Sequence, residues 1–209
     1  MTAPNELMVN GETKRILFRS MELIMKNIEA NINHLDKNFE YTQKFVNLVY
    51  DGLENNRKFF LLASGRSAFI LECFATRLVH LGAEVHIVTN VASIPAMRKE
   101  DILIVLSGSG TTGIVVSLLN NYVNTIKPYG IVTITSHPET VIGRLGDITI
   151  KLKGRSKRDK GIGDTAILSP EGTMFEQIAF CYLDAIVAEL AIKMGLTNDD
   201  LLKKHSQAT

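Results

Sequence analysis

The stretch Ile102 to Val123, ILIVLSGSGTTGIVVSLLNNYV, changes its hydrophobic period half-way along. Ile102 to Leu106 is an unbroken aliphatic run, the pattern of a strand buried on both faces. Ser107 to Thr112 then offers only glycines and small hydroxyls. Beyond it, Val115, Leu118, Leu119, Tyr122, Val123 and Ile126 recur at helical spacing. The segment KFFLLASGRSAF repeats the same order of strand, Gly/Ser turn and helix, with Gly82 as the helix stop. Strands that feed helices through short turns build a parallel sheet covered on both faces.

The rest of the chain fits that frame. A helix opening at Thr13 carries Leu17, Met21, Ile24, Ile28, Ile32 and Leu35 on one stripe, fit to cover the core or a second subunit. A second helix runs through Phe45, Leu48, Val49 and Leu53. EVHIV, YGIVTITS and DITIKL read as further strands, with TVIGRLG as a short helix. Lys153 to Pro170 breaks the pattern and reads as a mobile loop or lid. A long helix follows, from Phe175 to Leu190, ended by Gly195. Thr197 starts a last short helix that ends near His205. At 209 residues this is one domain, with helices over about 12–55 and 170–206 flanking the sheet.

Composition narrows the function classes. A net charge of +1 and no basic stripe give no case for nucleic acid. The apolar runs are strand-sized, too short for a membrane span, and the first fifteen residues lack a signal-peptide core, so a cytoplasmic protein is expected. Cys73 and Cys181 sit in helical apolar patterns and read as reduced core thiols. His and Cys show no metal-ligand spacing, and His80, His86 and His137 are given no catalytic role.

Both Gly/Ser turns fall at the carboxyl ends of strands, where open α/β sheets bind ligands. Ser107, Gly108, Ser109, Thr111 and Thr112 combine glycines, hydroxyls and a helix N-terminus, which suits a phosphate. No Lys-Ser/Thr pair follows, so this is not a Walker loop. Plain Ser/Thr capping of the helix is the competing reading. Ser64, Gly65, Arg66 and Ser67 form the second turn, where Arg66 could meet a phosphate or an internal carboxylate.

Taken together, SGRSAF, RLVHLGAEV, ILIVLSGSGTT, ITSHPET, LSPEGTMFEQ and MGLTNDDLLKKH resemble the sugar isomerase (SIS) family, and more closely the 6-phospho-3-hexuloisomerases. The resemblance runs in order from the first helix to His205. It implies an α-β-α sandwich around a five-stranded parallel sheet, in a homo-oligomer that is commonly a tetramer. It implies interconversion of 3-hexulose 6-phosphate and fructose 6-phosphate through a 2,3-enediol, without metal or organic cofactor. In such families the step serves formaldehyde fixation or ribulose monophosphate supply. Ser107, Ser109 and Thr112 match the hydroxyls that hold phosphate, and Ser67 a further contact. Glu176 matches the proposed base, and His205 a histidine near the C-terminus able to reach an active site, across a subunit interface in some arrangements.

Three positions depart from that pattern. Ala63 and Ala68 stand where glycine is usual, and their methyl groups are expected to crowd the first turn. Thr111 stands where glutamate is usual. Thr173-x-x-Glu176 also fits a capping box. A sugar-phosphate sensor without catalysis, and an aldose-ketose isomerase of the same fold, are the alternatives.

Overall fold

The computed structural model describes residues 6–9, 12–88, 94–156, 158–160 and 164–204. The sheet is built from β3 (Lys58–Leu62), β4 (Glu84–Ile87), β5 (Ile102–Leu106), β6 (Gly130–Thr135) and β7 (Ile148–Lys151). All four pairings are parallel, in the order β4-β3-β5-β6-β7. This is the five-stranded α/β arrangement expected.

Parallel strands leave both faces to be covered, and β5 shows how its sequence does so. Ile102, Ile104 and Leu106 enter one core with Phe45, Leu71, Phe74, Phe175 and Ile178. Leu103 and Val105 point the other way, to Val115, Leu119 and Ile142. One face is therefore covered by α2 (Phe39–Glu54), α3 (Arg66–Leu81) and α7 (Thr173–Lys193), and the other by α4 (Gly113–Thr125) and α5 (Val141–Arg144). With all five β5 side chains buried, a continuous aliphatic run is what the position demands.

The chain leaves β3 toward β4 and leaves β5 toward β6, in opposite directions across the sheet. The two strands are neighbours, so their carboxyl ends open a crevice between the departing loops. Both hydroxyl-rich turns lie there.

Three expectations need correction. The first helix, α1 (Ile16–Lys37), begins three residues after Thr13, because Glu12–Arg15 is a strand, β2, paired antiparallel with β1 (Glu6–Val9). The α1 stripe divides between the two uses open to it: Ile28 and Leu35 pack on the core, while Leu17, Met21 and Ile32 are exposed. Cys73 and Cys181 are both free and exposed, on the outer faces of α3 and α7, rather than buried. Lys153 to Pro170 is not all loop: it contains α6 (Asp164–Leu168) and is tied down at its start. The buried Asn31 of α1 donates to Lys153 O and accepts from Lys153 N–H, each at 2.6 Å.

The last helix, α8 (Asn198–Lys203), carries the expected capping box: the Thr197 hydroxyl accepts from Asp200 N–H, and the Asp200 carboxylate accepts from Thr197 N–H. Among the described residues, no helix is long and apolar enough to cross a membrane.

Candidate active site

Three helices begin at one cleft, and none of the three has a side-chain cap. Thr112 precedes α4, yet its hydroxyl turns away from the helix, to Ser107 Oγ at 3.2 Å and Ser109 Oγ at 3.4 Å. Gly65 precedes α3 and Gly172 precedes α7, and neither has a side chain to cap with. Ala68 N–H and Thr173 N–H meet backbone carbonyls, Gly65 O and Pro170 O, but no side chain caps the first turns of α3, α4 and α7, and helix dipoles add positive potential at the same ends. An oxyanion is the ligand such ends accept.

Glycines make this convergence possible. Gly65 has φ 63° and ψ −140°, a conformation open to glycine alone. A Cβ on Gly108 would lie 2.8 Å from the Phe175 ring, so only glycine lets the β5–α4 loop close against α7.

The cleft is lined from the first turn by Ser64, Gly65, Arg66 and Ser67. The second turn supplies Ser107, Gly108, Ser109 and Thr112, and α7 supplies Phe175 and Glu176. Arg66 Nε donates to Glu176 Oε2 at 2.6 Å. The arginine side chain is 69% exposed and the glutamate side chain 11%, so the pair spans from the mouth of the cleft to its floor. Arg66 therefore meets an internal carboxylate, one of the two partners its sequence context offered. Among the described residues, Arg66 is the one cation in the lining, against the carboxylates of Glu171 and Glu176. Attraction for an anion must come from N–H groups and hydroxyls more than from net charge.

The structure thus assembles nine of the eleven residues singled out from sequence. Thr111 is exposed and outside the lining; its N–H faces Ser109 Oγ at 3.4 Å. His205 lies outside the described residues. The capping-box reading of Glu176 does not hold, because Gly172 is the N-cap and Thr173 already lies inside the helix. A Cβ on Gly172 would lie 2.9 Å from Glu176 Oε1, so the glycine leaves room for this carboxylate. Ala63 and Ala68 do not crowd the turn: both methyl groups are buried in the core beneath it.

Sequence reasoning missed Ser156, a buried lining residue from the segment after β7. No local pattern marks it, since its neighbours in the cleft come from elements far away in sequence. Among the described residues, no three His, Cys, Asp or Glu side chains group closely enough to hold a metal ion.

Comparison with known proteins agrees with the fold. No family model matches the chain. It is 32% identical to the 3-hexulose-6-phosphate isomerase of Methanocaldococcus jannaschii, over 80% of this chain and 86% of that protein. It is 30% identical to the 3-hexulose-6-phosphate isomerase of Bacillus subtilis, over 84% of this chain and 93% of that protein. The chain belongs to the 3-hexulose-6-phosphate isomerase family. A crystal structure of a Methanococcus jannaschii protein, from which a molecular function of 3-hexulose-6-phosphate isomerase was inferred, superposes with a TM-score of 0.74 at 28% identity. That match covers 91% of this chain and 99% of the other. An Escherichia coli protein of solved structure shares the fold of this 3-hexulose-6-phosphate isomerase family member, with a TM-score of 0.70 at 18% identity over 91% and 96% of the two chains.

Proposed function

We propose that this cleft interconverts 3-hexulose 6-phosphate and fructose 6-phosphate, with Glu176 as the base. The observation that carries the reading is the position of Glu176 in the cleft that also holds the Ser107–Thr112 loop. The phosphate rests on the N–H groups and hydroxyls at the start of α4, and the sugar extends toward α7. Glu176 takes the proton from C2, and the electron pair forms the C2–C3 double bond while O3 gains a proton. The 2,3-enediol then collapses: O2 loses its proton, C2 becomes the carbonyl, and Glu176, whose carboxyl proton has exchanged with solvent, delivers one to C3. The reaction is balanced within the sugar, so nothing is oxidised or reduced overall.

Phosphate binding contributes by holding the chain of carbons in register, which lowers the entropic cost of reaching the enediol. A carboxylate in place for both proton transfers contributes about 10²–10⁴-fold. The family resemblance favours a homo-oligomer, and the exposed apolar residues of α1, Leu17, Phe18, Met21 and Met25, give a second copy a surface to cover.

Incubation with 3-hexulose 6-phosphate in deuterated water tests the reading. Fructose 6-phosphate carrying deuterium on carbon is expected. Absence of both product and label refutes it, and turnover of an aldose phosphate instead selects the alternative isomerase.

A further inference from the structure

One histidine outside the binding turns ties the wall of the cleft to the sheet. His137 follows β6, and its Nε2 lies 3.1 Å from Ser156 Oγ and 3.1 Å from Asp159 Oδ2. Its Nδ1 lies 3.3 Å from Glu139 Oε1. Ser156 is 2% exposed, and its hydroxyl is fully engaged: it donates to Asp159 Oδ2 at 3.0 Å and accepts from Arg158 N–H at 3.2 Å. Ser156 N–H also donates to Asp159 Oδ2, at 2.7 Å. Beside this, Ser136 Oγ donates to Gly154 O at 2.8 Å.

We propose that His137 is a positioning residue for the reaction: it clamps residues 153–156 and 158–160 to the end of β6, and so fixes the wall that carries Ser156 and supports the start of α7. The proposal rests on the reading of the cleft given above. Two placements connect the clamp to the chemistry. Ser156 lines the cleft. Gly154 lies so close to α7 that a Cβ there would be 2.6 Å from Phe175 N, one residue before Glu176. The start of the segment is held by Asn31, and His137 and Ser136 supply the ties on the sheet side.

Carboxylates face the histidine on both sides: Asp159 from the segment after β7, and Glu139 from its own turn. Asp159 is held below the usual carboxylate range: burial pushes it up, but the N–H and hydroxyl of Ser156 and the histidine outweigh that.

His137→Gln and the wild type test this by amide hydrogen exchange and by steady-state kinetics. Gln keeps an amide donor but cannot meet Asp159 and Glu139 together. Faster exchange confined to 153–156 and 158–160, by roughly tenfold for one lost charge-assisted bond, is expected. KM should rise more than kcat falls. Unchanged exchange in this segment, or faster exchange with the wild-type KM, overturns the proposal. Should His137→Gln fail to fold, Asp159→Asn weakens the same tie from the other side and is read identically. A wild type that turns over no 3-hexulose 6-phosphate overturns the reaction and the positioning role with it. In that case the exchange arm still reads whether His137 holds the segment.

Discussion

Arg66 Nε meets Glu176 Oε2 at 2.6 Å, joining the first residue of α3 to the first turn of α7 across the mouth of the cleft. One guanidinium nitrogen is thereby committed to Glu176, while the arginine side chain stays largely exposed at the cleft. Lys cannot do both, since it is a single charged point on a flexible stem. Arg66→Lys is expected to raise KM roughly tenfold while lowering kcat as well, because one bidentate or charge-assisted contact is worth about 1.5–3 kcal/mol. Steady-state kinetics over a substrate series checks this, and wild-type constants would remove Arg66 from the site.

Glu176→Gln keeps the size of the side chain and a hydrogen-bonding oxygen for Arg66, but not a base. Isomerisation and carbon-bound deuterium incorporation should fall by about 10²–10⁴-fold. Affinity for inorganic phosphate, measured by calorimetry, should stay within a few-fold. Full activity in this variant would rule Glu176 out.

Ser107 and Thr111 separate loop residues that face the cleft from one that does not. Ser107 is buried, lines the cleft and contacts the Thr112 hydroxyl at 3.2 Å, whereas Thr111 is exposed outside the lining. Ser107→Ala should weaken phosphate binding by roughly tenfold, the worth of about one hydrogen bond, and Thr111→Ala should leave it unchanged. Equal losses in the two variants would contradict this placement of the loop.

Gly110 has φ 63°, and a Cβ there would lie 1.9 Å from Thr140 Oγ1. Gly110→Ala must therefore strain the backbone and displace a buried threonine, at a cost of about 2–4 kcal/mol. A fall in the urea midpoint equal to that loss divided by the m-value, with weakened phosphate binding, is the expected result.

Acid should destabilise the fold in two stages. Burial, with Lys153 and Lys151 nearby, holds His34 below the usual histidine value, so the unfolded chain takes up its proton first. Stability from this group is full above the unfolded value and falls as pH drops below about 6.5. Glu84, held down by Lys58 and His86, and Asp200, held down by the hydroxyl and N–H of Thr197, add a second stage. Their contribution is present above the unfolded carboxylate values and is lost as pH falls through the lower folded ones. Urea midpoints should decline slightly from about pH 7 to 5.5 and again below about pH 4, and His34→Gln should remove only the first decline.

Everything governed by local period and local chemistry could be read along the chain. Ile102 to Leu106 had to be a doubly buried strand, because no other element buries five consecutive aliphatic side chains so simply. The glycines and hydroxyls of Ser107 to Thr112 marked a turn that admits an anion. Gly82 and Thr197 marked a helix stop and a helix start. The folded packing settled whatever depends on partners far away in sequence. Thr173 and Glu176 have the spacing of a capping box, but a guanidinium from α3 takes the carboxylate and Gly172 takes the cap position. Cys73 and Cys181 sit among apolar neighbours, yet the faces that α3 and α7 turn to the sheet leave both thiols outside. Ser156 and His137 meet across 19 residues at the edge of a cleft that exists only once β6 and β7 lie side by side. Hydrophobic period reports which residues seek burial. The identity of the group each polar side chain finds is set by the packing of whole elements, and that has no local signature.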